Sequence, residues 1–165
     1  SSANREKHTH IEREREREMA TSGTGGVLSI EVGDGVLEAH KKMGSLSVDG
    51  AAVILKVEGN VLLLEHSMLE GGSVTVDDVA EELSPREPRF ILYLFKKRHD
   101  ELRVSYPFLL IRYIPETANP RMRMTYAQLS LAVSAALPVQ YVLECRDLDE
   151  LTTEWVLANA VSGPK

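Results

Sequence analysis

A run of mostly basic residues stands in the middle of the sequence, between two stretches rich in apolar residues. Its members are Lys96, Lys97, Arg98, His99, Asp100, Glu101, Leu102 and Arg103. A histidine beside carboxylates can transfer protons in acid–base catalysis, but nothing in the flanking sequence indicates a pocket to hold a substrate. A basic hairpin on an acidic protein can dock on an acidic partner, or it can simply keep the strand ends soluble. The run therefore predicts a projecting charged hairpin, with a partner contact as its functional interpretation.

The second candidate for a binding role is a long helix, predicted from Asn119 to about Leu137. An asparagine cap followed by Pro120 is a strong helix start, and Pro138 ends the pattern. Apolar residues recur at spacings of four, three and four, and mark the core-facing stripe Met122, Tyr126, Leu129 and Val133. The opposite face then carries Arg121, Arg123, Met124, Gln128 and Leu131. Arginine and methionine suit a partner surface, although an ordinary solvated face could have the same composition.

Enzymatic chemistry finds little support elsewhere in the sequence. Cys145 is the only cysteine, and no neighbouring histidine or cationic setting marks it as a nucleophile, so we expect a buried structural thiol. The five histidines lack metal-ligand spacing in the folded part, and one cysteine cannot build a multi-cysteine zinc site. No phosphate-loop, dinucleotide-binding, zinc-protease or nucleophile-elbow motif is present. The sequence therefore predicts no enzyme, no cofactor and no metal site.

The composition limits the class of protein and its partners. Of the 165 residues, 43% are hydrophobic and 27% are charged, which is typical of a globular domain. The net charge of −6 argues against a protein that follows nucleic-acid phosphates. The longest apolar run, Phe90 to Phe95, is far shorter than a membrane helix, so we expect no membrane contact. With one cysteine and no secretory pattern, the protein is expected in the cytoplasm.

Two regions of different character divide the chain. Residues 1–26 form an alternating-charge tail and a glycine-rich linker, expected to be disordered or appended, and residues 27–162 form the folded domain. The predicted helices are 36–43, 76–83, 119–137 and 148–160, and the predicted strands are 51–57, 61–65, 90–97, 103–113 and 140–145. Asp34 is expected to cap the first helix and Gly44 to end it. Helices interspersed with a mainly five-stranded sheet predict an α/β three-layer sandwich.

Several motifs occur in a fixed order along the folded part. They are Val32-Gly33-Asp34-Gly35-Val36, Glu87-Pro88-Arg89-Phe90-Ile91-Leu92-Tyr93, His99 to Pro107, Met122-x-Met124-Thr125-Tyr126-Ala127, and Asp149 to Trp155. Together they resemble the glia maturation factors, which belong to the ADF/cofilin homology (ADF-H) superfamily. The R-V-S-Y-P exit of the hairpin is the most specific motif, whereas the M-x-Y-A helix motif is shared with true cofilins. The resemblance covers about residues 27–160.

The resemblance implies an ADF-H (gelsolin-like) fold, a three-layer sandwich with a mixed five- to six-stranded sheet flanked by helices. ADF/cofilins bind actin monomers and filaments and sever the filaments. Glia maturation factors instead bind the actin-related protein 2/3 complex, inhibit branch nucleation and promote debranching. The resemblance thus implies a cytoplasmic, monomeric regulator of the actin cytoskeleton that catalyses no chemical step.

The resemblance also assigns partner-binding residues to three regions. One is the long-helix face with Arg121, Arg123, Met124 and Gln128, to which the pattern above adds Leu131. Beside it lies an N-terminal segment with Leu28, Ser29 and Ile30, and the third region is the hairpin with Lys96, Lys97, Arg98, His99 and Arg103. The chain departs from cofilins at Ala132 to Ala136, which replaces a cationic run and weakens attraction to acidic actin. An ADF/cofilin- or coactosin-like protein that binds actin directly remains the alternative.

Overall fold

The computed structural model describes residues 29–160 of the chain. Its helices are α1 (Asp34–Gly44), α2 (Val76–Glu81), α3 (Pro120–Ala136) and α4 (Thr153–Ala160), and a 3-10 turn spans Leu148–Glu150. Its strands are β1 (Glu31–Val32), β2 (Ala51–Glu58), β3 (Val61–Met68), β4 (Arg89–Leu94), β5 (Lys97–Arg98), β6 (Val104–Ser105), β7 (Phe108–Tyr113) and β8 (Tyr141–Cys145). The predicted boundary between tail and domain, at residues 26 and 27, lies outside the described residues.

A mixed six-stranded sheet forms the centre of the described region, in the order β1-β3-β2-β4-β7-β8. The inner strands pair antiparallel, whereas β1 and β8 at the two edges each run parallel to their neighbour. β5 and β6 form a separate two-stranded hairpin. The predicted mixed sheet of five to six strands is confirmed, and β1 is the strand that the residue pattern did not predict.

The sheet is buried on both faces by helices. Along β2, Ala51, Val53 and Leu55 pack in one core with α1 and α3, while Ala52 and Ile54 pack in the other core with α2 and α4. All five side chains are fully buried, which explains why β2 is continuously apolar and does not alternate. Removing this apolar surface from water is the main contribution to stability. The predicted three-layer α/β sandwich is therefore confirmed.

The start of the domain differs from the prediction in how α1 begins. Asp34 is the first residue of α1 and not its cap, and Gly33 occupies the cap position without a side-chain hydrogen bond. The Gly33 N–H donates to Leu62 O at 2.9 Å, and a Cβ on Gly33 would stand 3.0 Å from that oxygen. Close approach to β3 therefore favours a residue without a side chain at the position before α1. Gly44 is the last residue of α1, where the sequence places its end.

The two strands predicted around the charged hairpin are both interrupted. β4 ends at Leu94, three residues before the predicted end, and the strand predicted at 103–113 is divided into β6 and β7 by Tyr106-Pro107. Proline has no backbone N–H to donate to a ladder. Pro107 contributes its carbonyl, which accepts from the Phe95 N–H at 3.4 Å. The prediction of continuous strands was wrong because apolar periodicity does not register such a local break.

Two helices begin where side chains satisfy free backbone N–H groups. α2 starts with a reciprocal capping box, in which the Thr75 hydroxyl accepts from Asp78 N and the Asp78 carboxylate accepts from Thr75 N. The helix predicted at 148–160 is instead a 3-10 turn followed by α4. The Thr152 hydroxyl accepts from Trp155 N at 3.1 Å and starts the second helix anew.

Two tyrosines are buried in the core between the sheet and the α2–α4 layer. The Tyr93 hydroxyl donates to Val74 O at 2.7 Å, and the Tyr113 hydroxyl donates to Ser84 O at 2.9 Å. Burial, with smaller effects from nearby acidic groups, raises the pKa of Tyr93 to about 12 and that of Tyr113 to about 12. The fold therefore holds both hydroxyls in the protonated form.

This burial makes the fold sensitive to alkaline pH. An unfolded tyrosine releases its proton near pH 10, so between about pH 10 and pH 12 the unfolded chain binds fewer protons than the folded one. Below this range the two tyrosines should contribute no pH dependence, and within it each should lower the free energy of unfolding by at most about 1.4 kcal/mol per pH unit. Urea unfolding at a series of pH values measures the slope. A Tyr93→Phe and Tyr113→Phe double variant that keeps the full slope would contradict this assignment.

Candidate partner-binding surface

The orientation of α3 is fixed by a small set of contacts with the sheet. Tyr126 stacks on Phe90 of β4, with 5.2 Å between ring centroids, and its hydroxyl accepts from the Val57 N–H of β2 at 2.9 Å. The Asn119 side chain caps the helix by accepting from Arg121 N at 2.8 Å. The predicted stripe lies against the core: Tyr126, Leu129 and Val133 are buried, and Met122 is partly buried. The periodicity of the sequence therefore identified the correct face.

The outward face of α3 is exposed over its length. Met124 is 62% exposed and Leu131 is 66% exposed, so this face presents two large apolar side chains to water. Arg121, Arg123 and Gln128 are exposed beside them. Neither guanidinium group forms a salt bridge with any residue between 29 and 160. The face thus presents apolar surface with two free cations at the N-terminal end of the helix.

The N-terminal segment lies at the end of the sheet where α3 begins. The Glu31 N–H donates to Asn60 O at 2.8 Å in the turn between β2 and β3. Val57, which contacts Tyr126 of α3, stands three residues before Asn60 in the same turn region. Ser29 and Ile30 are half-buried, and Ile30 packs against the core shared by α1 and α3. Leu28, the third residue predicted for this segment, lies outside the described residues.

The charged hairpin is closed by internal hydrogen bonds. Its strands pair Lys97 with Ser105 and Arg98 with Val104. Asp100 Oδ1 accepts from the N–H groups of Leu102 and Arg103 at 2.8 and 2.9 Å, which shapes the tip. Leu102 at this tip is 95% exposed, and its charged neighbours are exposed as well: Lys96, Arg98, His99, Asp100, Glu101 and Arg103. Lys97 differs from these residues because it is half-buried.

His99 has no arrangement suited to acid–base catalysis. Its Nε2 lies 2.8 Å from the Ser105 hydroxyl on the neighbouring strand. The Asp100 carboxylate, which the sequence places beside it, is engaged with backbone N–H groups of the tip. The ring is exposed on a projecting hairpin, where it can contact a partner but cannot enclose a substrate.

The predicted binding residues extend from one end of the sheet to the other. Arg121 and Arg123 begin α3 at the end of the sheet where Ser29 and Ile30 lead into β1. The C-terminal end of α3 leads to Gln140, whose N–H donates to Phe108 O at the other end of the sheet. The hairpin leaves the sheet at that same end, because Leu94 and Phe108 are paired. The 17 residues of α3 span about 26 Å, and Gln128 and Leu131 lie on the helix between its first residues and the hairpin end of the sheet.

One ion-paired arginine, half-buried beside the sheet, was not anticipated from the sequence. The Arg89 guanidinium contacts Glu65 at 2.8 Å and Glu87 at 3.4 Å, and the Arg89 side chain is 14% exposed. Burial, the largest influence, disfavours its charge, but the hydrogen bond and charge of Glu65 raise the pKa of Arg89 above its ordinary value. The pair joins β3 to β4 across β2. Glu65 is left unpaired where the β2–β3 register shifts, a bulge that no residue pattern predicted.

Cys145 is a structural thiol in the strand where the sequence placed it. The side chain is fully buried at the end of β8, and its Sγ donates to Asp147 O at 3.1 Å. Burial raises the pKa of the thiol above its ordinary value, so the reactive thiolate is disfavoured. Residues 29–160 contain no group of three or more acidic, histidine or cysteine side chains that could hold a metal ion. No helix in this range is long and apolar enough to cross a membrane.

The fold agrees with the folds of known proteins. Residues 29–160 match the family described as cofilin/tropomyosin-type actin-binding protein. The solution structure of glia maturation factor from Caenorhabditis elegans is 31% identical, with a TM-score of 0.68 over 81% of this chain and 96% of that chain. The crystal structure of Streptomyces griseoflavus cofilin, at 19% identity and a TM-score of 0.69, shares the fold over 82% of this chain and 100% of its own.

Sequence comparison makes the assignment more specific. Glia maturation factor of Drosophila melanogaster is 35% identical over 131 residues, which are 78% of this chain and 93% of that protein. Glia maturation factor beta of Homo sapiens is 35% identical over 109 residues, covering 66% of this chain and 75% of that protein. The chain therefore belongs to the cofilin/tropomyosin-type actin-binding family, and within it to the glia maturation factors. It is a regulator of actin that acts by binding and is not an enzyme.

Proposed function

We propose that this protein binds the actin-related protein 2/3 complex, inhibits the nucleation of new branches and promotes the release of existing ones. Its similarity to glia maturation factors supports this choice within the family. The protein acts by binding one conformation of the complex more tightly than another, which shifts the population toward an inactive state. Its place of action is the cytoplasm, at branched actin networks.

The exposed face of α3 is the observation that carries the proposal. Met124 and Leu131 expose large apolar side chains that only a partner can bury. Arg121 and Arg123 supply directed hydrogen bonds at one end, and no charged residue follows Arg123 on the helix. This surface suits a partner that is recognised by shape and apolar contact. It is less suited to an acidic partner that a long run of cations on the helix would attract.

The separation of the two binding regions supports a large partner. The N-terminal end of the α3 face and the hairpin lie toward opposite ends of the sheet, along a helix about 26 Å long, so a partner that contacts both must present an extended surface or two subunits. When one region binds, the other is held near its own target at high effective concentration. A complex of several subunits meets this requirement, and we assign both regions to contacts with it.

Direct binding of actin is the second candidate function. The family matched by residues 29–160 is described as actin-binding, and Arg121 and Arg123 are free to meet an acidic surface. The face lacks further cations after Arg123, so it attracts actin more weakly than a helix with a cationic run would.

A side-by-side binding experiment separates the two functions. The full chain is titrated against purified actin-related protein 2/3 complex, actin monomers and actin filaments in the same buffer. We expect the complex to bind about tenfold more tightly or better than either form of actin, a difference of about 1.4 kcal/mol. Branch loss, followed by fluorescence microscopy of filaments, should accelerate with the concentration of the protein. Binding to actin without binding to the complex would contradict the proposal and establish the second function.

A further inference from the structure

Lys97 is placed differently from the other basic residues of the hairpin. Lys96 and Arg98 are exposed, whereas Lys97 is half-buried. Its Nζ donates a hydrogen bond to the hydroxyl of Tyr141, which is 44 positions away on β8. Since β5 and β8 belong to different sheets, this contact joins the hairpin to the edge strand of the central sheet.

Tyr141 is a firm anchor for this contact. Its side chain is 8% exposed and packs against Phe95, with 6.1 Å between ring centroids. Phe95 in turn stacks on Tyr93, at 6.4 Å. Lys97 Nζ stands 4.9 Å from the Tyr141 ring centroid on the side of the hydroxyl. The hydroxyl, and not the face of the ring, therefore holds the lysine.

The hairpin has few other links to the domain. Before it, the Lys96 N–H donates to Asp49 Oδ1 at 3.0 Å. Within the described region, the hydrogen bonds recorded for residues 98–105 stay inside the hairpin, among them His99 N to Arg103 O at 2.9 Å. The direction in which the hairpin projects thus depends on its base and on the Lys97–Tyr141 contact.

We propose that Lys97 and Tyr141 form a latch that fixes the hairpin in the orientation in which it meets its partner. Lys97 is then a positioning residue, and Arg98, His99 and Arg103 are the residues available for contact. A hairpin that is already ordered loses less conformational freedom on binding, so the latch increases affinity without touching the partner. The effect on affinity rests on the proposed function of the hairpin, whereas the effect on hairpin order does not.

The latch is tested by removing each half of it in the full chain. Tyr141→Phe deletes the hydroxyl but keeps the ring in its core position, and Lys97→Met deletes the charge but keeps the apolar stem. In the free protein we expect each change to speed hydrogen exchange of the hairpin amides, His99 included, by about tenfold. The double variant should exchange no faster than either single variant, because both remove the same interaction. Affinity for the actin-related protein 2/3 complex should fall in all three variants.

Lys96→Met is the matched control, since it makes the same change at the exposed neighbouring lysine. It should leave exchange of the hairpin amides unchanged, and any loss of affinity it causes reports a direct contact. Unchanged exchange in both Tyr141→Phe and Lys97→Met would overturn the latch, as would fully additive effects in the double variant. If the unmodified chain fails to bind the complex, the proposed function fails, while the exchange data still decide the latch.

Discussion

Replacing Arg123 and Met124 together by alanine is expected to weaken binding of the actin-related protein 2/3 complex by about 30-fold, or about 2 kcal/mol. Both side chains lie on the outward face of α3, where Met124 is 62% exposed. In the complex, Met124 loses its contact with water and Arg123 supplies directed hydrogen bonds, the kinds of contact that concentrate binding energy. Equilibrium titration of the purified complex with each protein measures the loss.

This double change should leave the fold intact. Neither side chain packs in a core cluster or forms a salt bridge with a described residue, so stability should change by less than about 0.5 kcal/mol in urea unfolding. The matched control is Leu37→Ala with Lys41→Ala, which removes one exposed apolar side chain and one cation from α1 in the same layer. That variant should bind normally. Equal losses for the two pairs, or none for the α3 pair, would remove α3 from the interface.

Features that repeat within one helix or strand could be predicted from the sequence, whereas contacts between residues far apart along the chain could not. The stripe of α3 was predicted correctly because Tyr126, Leu129 and Val133 repeat within one element, and the core selects that repeat. The uninterrupted apolar run of β2 likewise indicates that both faces of this strand are buried. The layers of the fold and the exposed face of α3 could therefore be predicted from the sequence alone.

Contacts between distant elements could not be derived in this way. The Lys97–Tyr141 bond joins residues 44 positions apart, and either residue alone reads as an ordinary member of its strand. Glu65, which contacts Arg89, is the unpaired residue at a bulge in β3, and bulges leave no periodic signal. The sequence consequently predicted Lys97 as a contact residue like its neighbours, and only the structure separates it from them.

Gly50→Ala is expected to lower the free energy of unfolding by about 3 kcal/mol or more. Gly50 is buried immediately before β2, with a φ of +128°, which residues with a side chain rarely adopt. A Cβ there would stand 2.2 Å from Val74 O and 2.8 Å from Val74 N. These are backbone atoms, and the Val74 N–H already donates to Gly50 O at 3.1 Å. The clash can be relieved only by separating β2 from the segment that leads into α2.

Two other glycines separate the clash from the backbone strain. Gly59→Ala adds a Cβ at φ +65° in open space, so it carries strain alone and should cost about 1 kcal/mol. Gly44→Ala at the end of α1 meets no atom within 4 Å at an ordinary φ, so it should be neutral or slightly stabilising. Thermal unfolding should therefore rank Gly50→Ala lowest, by about 10 °C below the unmodified chain. If Gly50→Ala lost no more stability than Gly59→Ala, the backbone at Gly50 and Val74 would be able to move apart at little cost. That result would contradict the expected clash.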